Sequence, residues 1–263
     1  MTTIHLDEKV LTILKDKIRI IPKTKGNLYL VGPIRLPVKL YSETVIFNWY
    51  CWLNCEDVTE IDCKEVRDYK KIIERLSSSN LALYQQSSLL IFGDFEHADD
   101  VLIRFHSICH TGDIFGSKRC DCGFQLKQSM KMIVEHGNGA LFYLANHEGR
   151  GIGLFSKAMA YVLQENGYDT VEANISLGFV DDSRNYEDAI LVLKALRTKP
   201  VTLMTNNPKK LDALKSAGLD VSGREPLWGD VSTYNEKYLQ TKIKKSGHLE
   251  EGEDWQKGCC NQE

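Results

Sequence analysis

Three cysteines in a polar, glycine-containing stretch are the residues best suited to chemistry: Cys109, Cys120 and Cys122. Thiolates are soft ligands that favour zinc, and a zinc ion with three protein ligands keeps its fourth tetrahedral position open for water. This spacing therefore indicates a candidate catalytic metal centre. Two other interpretations stay open, because buried cysteines also act as small hydrophobic residues and because His106 or His110 would complete a closed structural site.

A glycine-rich loop from His147 to Gly153 follows the apolar segment 140–144. Glycines let a ligand approach the backbone, amides at the start of a helix attract anions, and the Arg150 guanidinium suits phosphate or carbonyl groups. The loop does not start a zincin helix, because no second histidine follows His147 at the required offset. A tight strand-to-helix turn without a ligand explains the same residues.

Residues 170–174 and 178–186 are predicted to form a second polar loop. Asp182 and Arg184 are two residues apart, so in an extended segment both side chains project to one side. Such a pair is most often a modest surface ion pair, but beside a zinc-activated water it supplies a proton acceptor and an electrophile-facing group. The turn 205–210 suits a phosphate through its hydroxyl, amides and lysines, and a well-capped helix start is the alternative.

Hydrophobic periodicity places these motifs between regular elements, with Gly137 and Gly167 as helix stops. Strands are predicted over 27–31, 44–53, 89–92, 101–105, 140–144 and 201–204, and helices over 64–76, 124–136, 154–166, 186–197 and from 206 onward. The pattern predicts a mixed α/β (α+β) fold, strand-rich at first and then alternating around the zinc site. We expect an extension of unknown role over 1–90, a catalytic domain over 91–250 and a disordered tail over 251–263.

The composition limits the classes of protein and ligand that need to be considered. The 263 residues carry a net charge of −3, with 43% hydrophobic and 26% charged residues, which is typical of a globular protein with an ample core. Because no long basic run is present, we do not expect sequence-independent nucleic-acid binding. A polyanionic ligand would have to be held by locally clustered Arg and Lys.

No stretch is long and apolar enough to span a bilayer, and the N-terminus lacks the pattern of a signal peptide. We therefore expect a cytoplasmic protein without membrane association. In that compartment the eight cysteines are expected to be thiols or metal ligands and not disulfides. Cys51, Cys55 and Cys63 lie in an apolar region and are expected in the core, whereas Cys259 and Cys260 lie in the polar tail.

Several ordered motifs resemble the GTP cyclohydrolase II family across residues 101–227. They are Cys109-x10-Cys-x-Cys-Gly-x-Gln, Glu148-Gly-Arg-Gly-Ile-Gly-Leu, Ala160-Tyr-x-Leu-Gln, Tyr168-Asp-Thr-Val-Glu-Ala-Asn, Leu177-Gly-Phe and Thr205-Asn-Asn-Pro-Lys-Lys. Gly247-His248 is also similar to the family. The resemblance implies a GTP cyclohydrolase II-like fold and homodimeric assembly.

The resemblance also implies a reaction. GTP would be hydrolysed at its imidazole ring, with release of formate and pyrophosphate, to give 2,5-diamino-6-(5-phosphoribosylamino)pyrimidin-4(3H)-one, the first committed intermediate of riboflavin biosynthesis. The three cysteines would hold one Zn²⁺ per subunit, and a zinc-activated water would attack C8 of guanine. Mg²⁺ would bridge the phosphates and would not occupy a protein cage.

The same match implies roles for single residues. Asp182 would accept a proton, Arg184 would attack or contact the α-phosphate, and Tyr161 would assist hydrolysis at the base. Since a guanidinium stays protonated, the phosphate contact of Arg184 is favoured over covalent catalysis. The implied GTP contacts are Arg104, His106, Ser107, Gln125, Glu148, Gly149, Arg150, Thr170, Thr205 and Lys210.

The chain departs from the family pattern near the predicted centre. Ile108 stands where the family commonly has Glu, His147 where it has Gln, and Asn146 where it has a basic residue. These changes favour two alternatives: a specialised paralogue that gives a formylamino-pyrimidine product for secondary metabolism, or a non-catalytic zinc- and GTP-binding regulatory protein. Retained Tyr161 argues against the first, because its replacement is associated with arrested deformylation, and the complete cysteine triad argues against the second.

Overall fold

A computed structural model describes residues 7–55, 73 and 80–249 of the chain. Its strands are β1 (Ile18–Pro22), β2 (Asn27–Leu40), β3 (Glu43–Asn54), β4 (Ser87–Phe92), β5 (Leu102–Ser107), β6 (Gly139–Leu144), β7 (Val201–Met204) and β8 (Val221–Glu225). Its helices are α1 (Glu8–Lys15), α2 (Cys122–His136), α3 (Leu154–Glu165), α4 (Thr170–Ser176), α5 (Glu187–Leu196), α6 (Pro208–Ser216) and α7 (Glu236–Ser246). Within these ranges no helix is both long and apolar enough to cross a membrane.

All eight of these strands form one sheet, in the spatial order β1-β2-β3-β4-β6-β5-β7-β8. The first four pair antiparallel with their neighbours, and β4 pairs antiparallel with β6. From β6 onward the neighbouring strands are parallel. Since β5, β6 and β7 run in the same direction, the segments that follow them meet at one edge of the sheet, which is where open parallel sheets bind ligands.

Helices cover both faces of the central strands. Ile103 and Phe105 of β5 pack in a core that includes Leu193 of α5, whereas Leu102 packs on the other face with Ile133 of α2. β5 is buried from Leu102 through His106, as expected for a central strand covered on both sides. This strand therefore holds Ser107 and the cysteine segment in a fixed position.

The structure confirms the predicted strands, and it confirms helices at 122–136, 154–165, 187–196 and 208–216. The predicted helix over 64–76 lies outside the described residues except for residue 73. The polar loop predicted at 170–174 is wrong, because these residues form α4. Asp169 caps that helix by accepting from the amides of Val171 and Glu172, and the Glu172 carboxylate accepts from the Asp169 amide. This reciprocal capping box outweighs the polar composition of the segment.

The expectation that none of the cysteines forms a disulfide is wrong for Cys55. Cys55 is disulfide-bonded and fully buried, which confirms its place in the core. Cys51 and the three clustered cysteines are free thiols. A reducing compartment sets an average tendency, but a disulfide forms where two sulfur atoms meet in suitable geometry. Cys51 is only half-buried, and Cys63 lies outside the described residues.

Candidate active site

Cys109, Cys120 and Cys122 come together directly beyond the end of β5. Their sulfur atoms lie within 4.8 Å of one another, and the Cys109 and Cys120 sulfurs are 3.5 Å apart. Gly112 makes this possible, because a Cβ there would lie 3.0 Å from the Cys120 sulfur and 3.1 Å from that of Cys109. Among the described residues no histidine nitrogen joins the cluster. His106 instead donates from Nε2 to the Asp113 carboxylate, 3.1 Å away, and the interpretation as an open site with three ligands is therefore favoured.

The charges of the cluster suit a divalent metal. The pKa of Cys109 is lowered because Cys120 and Cys122 hydrogen-bond to its sulfur. Because Cys120 and Cys122 donate these hydrogen bonds, they keep their protons. The pKa of Cys120 is raised to about 11, and the pKa of Cys122 is raised as well. Without a metal the three thiols thus share one negative charge, and a bound cation would allow all three to ionise. Soft donors, their number and their burial all fit zinc.

Lys157, which sequence reasoning missed, lies against the cluster. Its ammonium is 3.1 Å from the Cys109 sulfur and 2.6 Å from Oε1 of Glu148. The other carboxylate oxygen of Glu148 accepts from the His110 amide at 2.6 Å. Lys157 and Tyr161 are four residues apart and so share one face of α3. That spacing next to the predicted Tyr161 was the available signal for Lys157.

The cluster opens into a cavity, which we call the thiol cavity. It is lined by ten of the predicted site residues: Ser107, Cys109, Cys120, Cys122, Glu148, Gly149, Arg150, Tyr161, Thr170 and Arg184. Two of the three departures from the family pattern, Ile108 and His147, line the same cavity. Tyr161 reaches it from α3, with its hydroxyl 3.4 Å from Oγ1 of Thr111.

A second cavity, which we call the basic cavity, adjoins the first. Its predicted lining residues are Arg104, His106, Ser107, Cys122, Gln125, Arg184, Thr205 and Lys210. Ser107, Cys122 and Arg184 line both cavities, so the two form neighbouring parts of one site. Thr205 and Lys210 lie at the predicted strand-to-helix turn, where Asn207 caps α6 by accepting from the Lys209 amide.

Arg104 and Lys210 are buried cations of the basic cavity, 6% and 5% exposed. Arg104 donates to the Met204 carbonyl and to Oε1 of Gln125, whereas its Nε has no partner. Lys210 donates to the Phe105 carbonyl at 2.6 Å. Burial lowers the pKa of both groups, and within the described ranges neither one pairs with a carboxylate. Because buried charges are normally paired, this cavity is built for an anion.

Asp182 and Arg184 form the ion pair that their spacing predicted. The guanidinium donates to both carboxylate oxygens, at 2.8 and 2.6 Å. Burial raises the pKa of Asp182, but its hydrogen bonds with Arg184 prevail and bring the value to about 2. Asp182 lines neither cavity and reaches the site only through Arg184. In this arrangement it is ionised and orients Arg184.

His147 supports Arg184 through Ser107. Its Nε2 lies 2.8 Å from the Asn185 carbonyl, which can only accept, so Nε2 carries the proton. Burial lowers the pKa of His147 to about 4, and the neutral ring therefore accepts from the Ser107 hydroxyl at Nδ1, 3.2 Å away. The Ser107 oxygen in turn accepts from Nη1 of Arg184 at 3.3 Å. The histidine that departs from the family pattern thus takes part in a directed chain of hydrogen bonds.

The loop after β6 brings Arg150 to the thiol cavity at φ 65°, a conformation that is uncommon for a residue with a side chain. Gly151 follows at φ 92°, and a Cβ there would lie 2.4 Å from the Ser183 oxygen. The loop therefore packs directly on the segment that carries Arg184. Arg150 pairs with Asp181 and donates to Ser246 at 3.1 Å, so its guanidinium is held by the protein.

Sequence reasoning also missed a group of residues beyond 226 that line these cavities. Tyr238, Lys242 and His248 line both cavities, and Trp228 lines the basic cavity. Only Gly247-His248 gave a signal, as a family-like pair. Polar residues of a C-terminal helix otherwise have the pattern of a solvent-exposed surface.

The fold and site define a class: an α/β protein in which a cluster of three thiols, able to hold a metal ion, adjoins a buried basic cavity at the carboxyl edge of parallel strands. The family model described as GTP cyclohydrolase II matches residues 66–226, which includes most of the range predicted from the motifs. The chain belongs to the GTP cyclohydrolase II family.

Named relatives cover different parts of their own chains. GTP cyclohydrolase-2 of Haemophilus influenzae (strain ATCC 51907 / DSM 11121 / KW20 / Rd) is 51% identical over 160 residues, which are 60% of this chain and 74% of that protein. Riboflavin biosynthesis protein RibBA of Bacillus subtilis (strain 168) is 51% identical over 160 residues, 60% of this chain and 40% of that protein. The monofunctional riboflavin biosynthesis protein RIBA 3, chloroplastic, of Arabidopsis thaliana is 43% identical over 198 residues, 70% of this chain and 39% of that protein. This chain therefore spans about two fifths of the length of the latter two relatives.

Proposed function

We propose that this protein hydrolyses GTP at the imidazole ring, releases formate and pyrophosphate, and forms 2,5-diamino-6-(5-phosphoribosylamino)pyrimidin-4(3H)-one for riboflavin biosynthesis. The observation that carries the proposal is the pair of buried cations Arg104 and Lys210, neither of which has a carboxylate partner among the residues that the structure describes. A triphosphate in the basic cavity supplies their counter-charge. Since Ser107 and Arg184 line both cavities, a nucleotide bound there extends its base toward the thiols.

Cys109, Cys120 and Cys122 would hold one Zn²⁺ per subunit. A bound zinc ion supplies Lewis acidity and lowers the pKa of a coordinated water molecule toward neutrality. Mg²⁺ would enter with the triphosphate, because it prefers phosphate oxygens and water to an all-protein site.

The side chains of the two cavities have different proposed roles in binding and hydrolysis. Arg104 and Lys210 bind phosphate oxygens, and Arg184, at the junction, binds the α-phosphate. Tyr161 and Lys157 lie at the thiol end of the site. There the Tyr161 hydroxyl assists proton transfer during hydrolysis at C8, and the Lys157 ammonium stabilises negative charge that develops at C8. Asp182 becomes a proton acceptor only when Arg184 turns toward phosphate, because the intact pair holds the Asp182 pKa at about 2.

We also propose that the protein forms a homodimer and is located in the cytoplasm. Dimerisation is supported by α3, whose outward face carries Phe155 and Val162, 80% and 59% exposed. The compartment stays a prediction, since one relative is named as chloroplastic.

The deciding experiment is GTP turnover by zinc-loaded protein with Mg²⁺, with formate, pyrophosphate and the pyrimidine followed by mass spectrometry. Equimolar formate and pyrophosphate support the full reaction. Pyrophosphate without formate would instead favour the formylamino-forming paralogue. Tight GTP binding without turnover would favour the regulatory protein, and absence of both binding and turnover would refute all three.

A further inference from the structure

The helix α7 and the residues just after it lie beyond the family-matched range 66–226, yet they contact four separate parts of the fold around the site. From α7 itself, Lys242 contacts Asp121 of the cysteine motif, Ser246 contacts Arg150 of the glycine-rich loop, and Lys245 contacts Asp169 at the cap of α4. Beyond the end of the helix, the Leu249 amide donates to the Asn206 carbonyl in the turn before α6. A helix fixed at so many points around one opening forms a wall of that opening.

Lys242 is the residue of α7 that reaches deepest. It is 9% exposed, and its ammonium lies 2.6 Å from Oδ1 of Asp121, the residue between Cys120 and Cys122. Asp121 is 1% exposed, and its second oxygen accepts from Gln125 at 2.7 Å. The pair therefore ties α7 to the cysteine motif in a place that excludes water.

The Lys242 ammonium can donate more hydrogen bonds than the one it donates to Asp121. It carries three N–H groups, of which the described contacts engage one with Asp121, and it lies 4.5 Å from the centre of the Tyr238 ring. Lys242 lines both the thiol cavity and the basic cavity. Its charge thus faces the space where Arg184 and Lys210 also converge.

His248 gives independent support for this convergence of charge. Burial, followed by the charges of Lys242, Lys210, Arg184 and Arg150 in that order, lowers the pKa of His248 to about 3. Four cations that act on one side chain must surround a common region. Such a region repels further positive charge and attracts a polyanion.

We propose that α7 is a wall of the substrate site and that Lys242 is a further phosphate-binding residue, a role that rests on the proposed function. The ammonium keeps its bond to Asp121 and directs its remaining donors to phosphate oxygens in the basic cavity. This assigns part of the triphosphate contact to a segment that the family match does not include.

The test compares Lys242→Met with Lys244→Met in zinc-loaded protein. Lys244 is the matched control, because it lies on the same helix but is exposed. Calorimetry with inorganic triphosphate and with guanosine measures the two ends of the site separately. We expect Lys242→Met to weaken triphosphate binding about 10- to 100-fold, the range for a hydrogen bond to a charged group, without changing guanosine affinity or zinc content. Wild-type triphosphate affinity, or equal weakening of both probes, would overturn the proposal.

A second variant distinguishes a loss of triphosphate binding from a loss of folding. Lys242→Met leaves Asp121 buried without its cation, so Asp121→Asn/Lys242→Met, which removes both charges, is measured beside it with thermal unfolding. The double variant is expected to show the same selective loss of triphosphate binding. If wild-type protein binds triphosphate in a Lys242-dependent way but does not open GTP, the proposed function fails and the anion-binding role stands. If wild-type protein binds no triphosphate, both fail.

Discussion

At the scale of single residues, charge in this site is arranged in buried pairs with two exceptions. Lys157 lies beside Glu148, and Arg184 lies beside Asp182. Within the described part of the chain, Arg104 and Lys210 instead bond to neutral groups. Because a buried cation without an anionic partner is costly, these two residues indicate an anionic ligand more clearly than the paired groups do.

Replacement of one cluster thiol tests the metal centre. Cys120→Ala removes one of three donors, so zinc affinity and GTP turnover should both fall by more than the roughly 10- to 100-fold that loss of an outer-shell partner costs. Zinc content by atomic emission and turnover are measured together. Cys51→Ala is the control, since Cys51 is a free thiol on β3. A Cys120→Ala protein that is zinc-replete and active would disprove the site.

Removal of the Tyr161 hydroxyl tests whether hydrolysis at the base takes place in the thiol cavity, separately from phosphate chemistry in the basic cavity. It lies in the thiol cavity, so Tyr161→Phe should slow formate release by about 100-fold, in the range for acid–base groups, while pyrophosphate release changes less. A formylated intermediate should then accumulate and be seen by mass spectrometry. Tyr168→Phe serves as control, because Tyr168 is 44% exposed and lines neither cavity. An unchanged product ratio would remove Tyr161 from the deformylation step.

The hydrogen-bond chain through Ser107 predicts how substitutions of His147 behave. Glutamine can also accept from Ser107 and donate to the Asn185 carbonyl, so His147→Gln should keep near-wild-type turnover. His147→Leu leaves Ser107 without its acceptor and should lower kcat about tenfold, with a smaller change in KM. In a Ser107→Ala background the His147→Leu change should have no further effect. Equal kcat for the Leu and Gln variants would contradict the chain.

At the scale of elements, the sequence predicted the parts that depend on local pattern. Apolar strands such as 140–144 and a capped helix start from residue 206 onward were predicted and are present, with Asn207 as the capping residue. The helix α4 was missed because its capping box was taken for loop composition. The wall formed by α7 was missed for a different reason: Lys242 meets Asp121 across 121 residues of sequence. Spacing within a motif predicts neighbours, whereas contacts between distant segments come only from the folded topology.

The same distinction applies to the site. The cysteine cluster and the Asp182–Arg184 pair follow from spacings of a few residues, and the structure shows both. Lys157 and Lys242 are lysines on helices with polar surfaces. The only local signal for Lys157 is its spacing of four residues from Tyr161, and no local pattern distinguishes Lys242 from a solvent-exposed lysine. Their importance comes from burial, at 8% and 9% exposure, which only the assembled fold sets.

At the scale of the whole molecule, buried neutral histidines make stability depend on pH. The folded-state pKa of His147 is about 4, below the ordinary value of 6.5, so the unfolded chain binds the proton first as pH falls. Stability is therefore intact above pH 6.5 and declines toward pH 4, where this one group costs about 3 kcal/mol. Urea unfolding at pH 7.5 and 4.5 should show a smaller acid-induced loss for His147→Gln than for wild type. Equal losses would show that His147 is protonated or exposed in the fold.

The proposed dimer rests on the unusual orientation of α3. Its inward face carries Lys157 and Tyr161, whereas Phe155, Met159 and Val162 lie on the outward face and are 80%, 38% and 59% exposed. A helix normally turns its apolar face inward, so this inverted pattern predicts that a partner covers the outward face. In a twofold dimer the same face of the second copy is self-complementary and needs no other protein.

Phe155→Glu tests that interface, because it places a charge at the centre of the outward face. The wild-type protein should be a dimer by light scattering, and the variant should dissociate by at least about 100-fold, as expected when an aromatic anchor is lost from an interface core. Leu83→Glu is the control, since Leu83 is similarly exposed at 76% but lies far along the chain from α3. Because Lys157 and Tyr161 are on the opposite face of the same helix, dissociation should also loosen the thiol cavity and lower turnover. A wild-type monomer, or a Phe155→Glu dimer of unchanged affinity, would exclude α3 as the dimer contact.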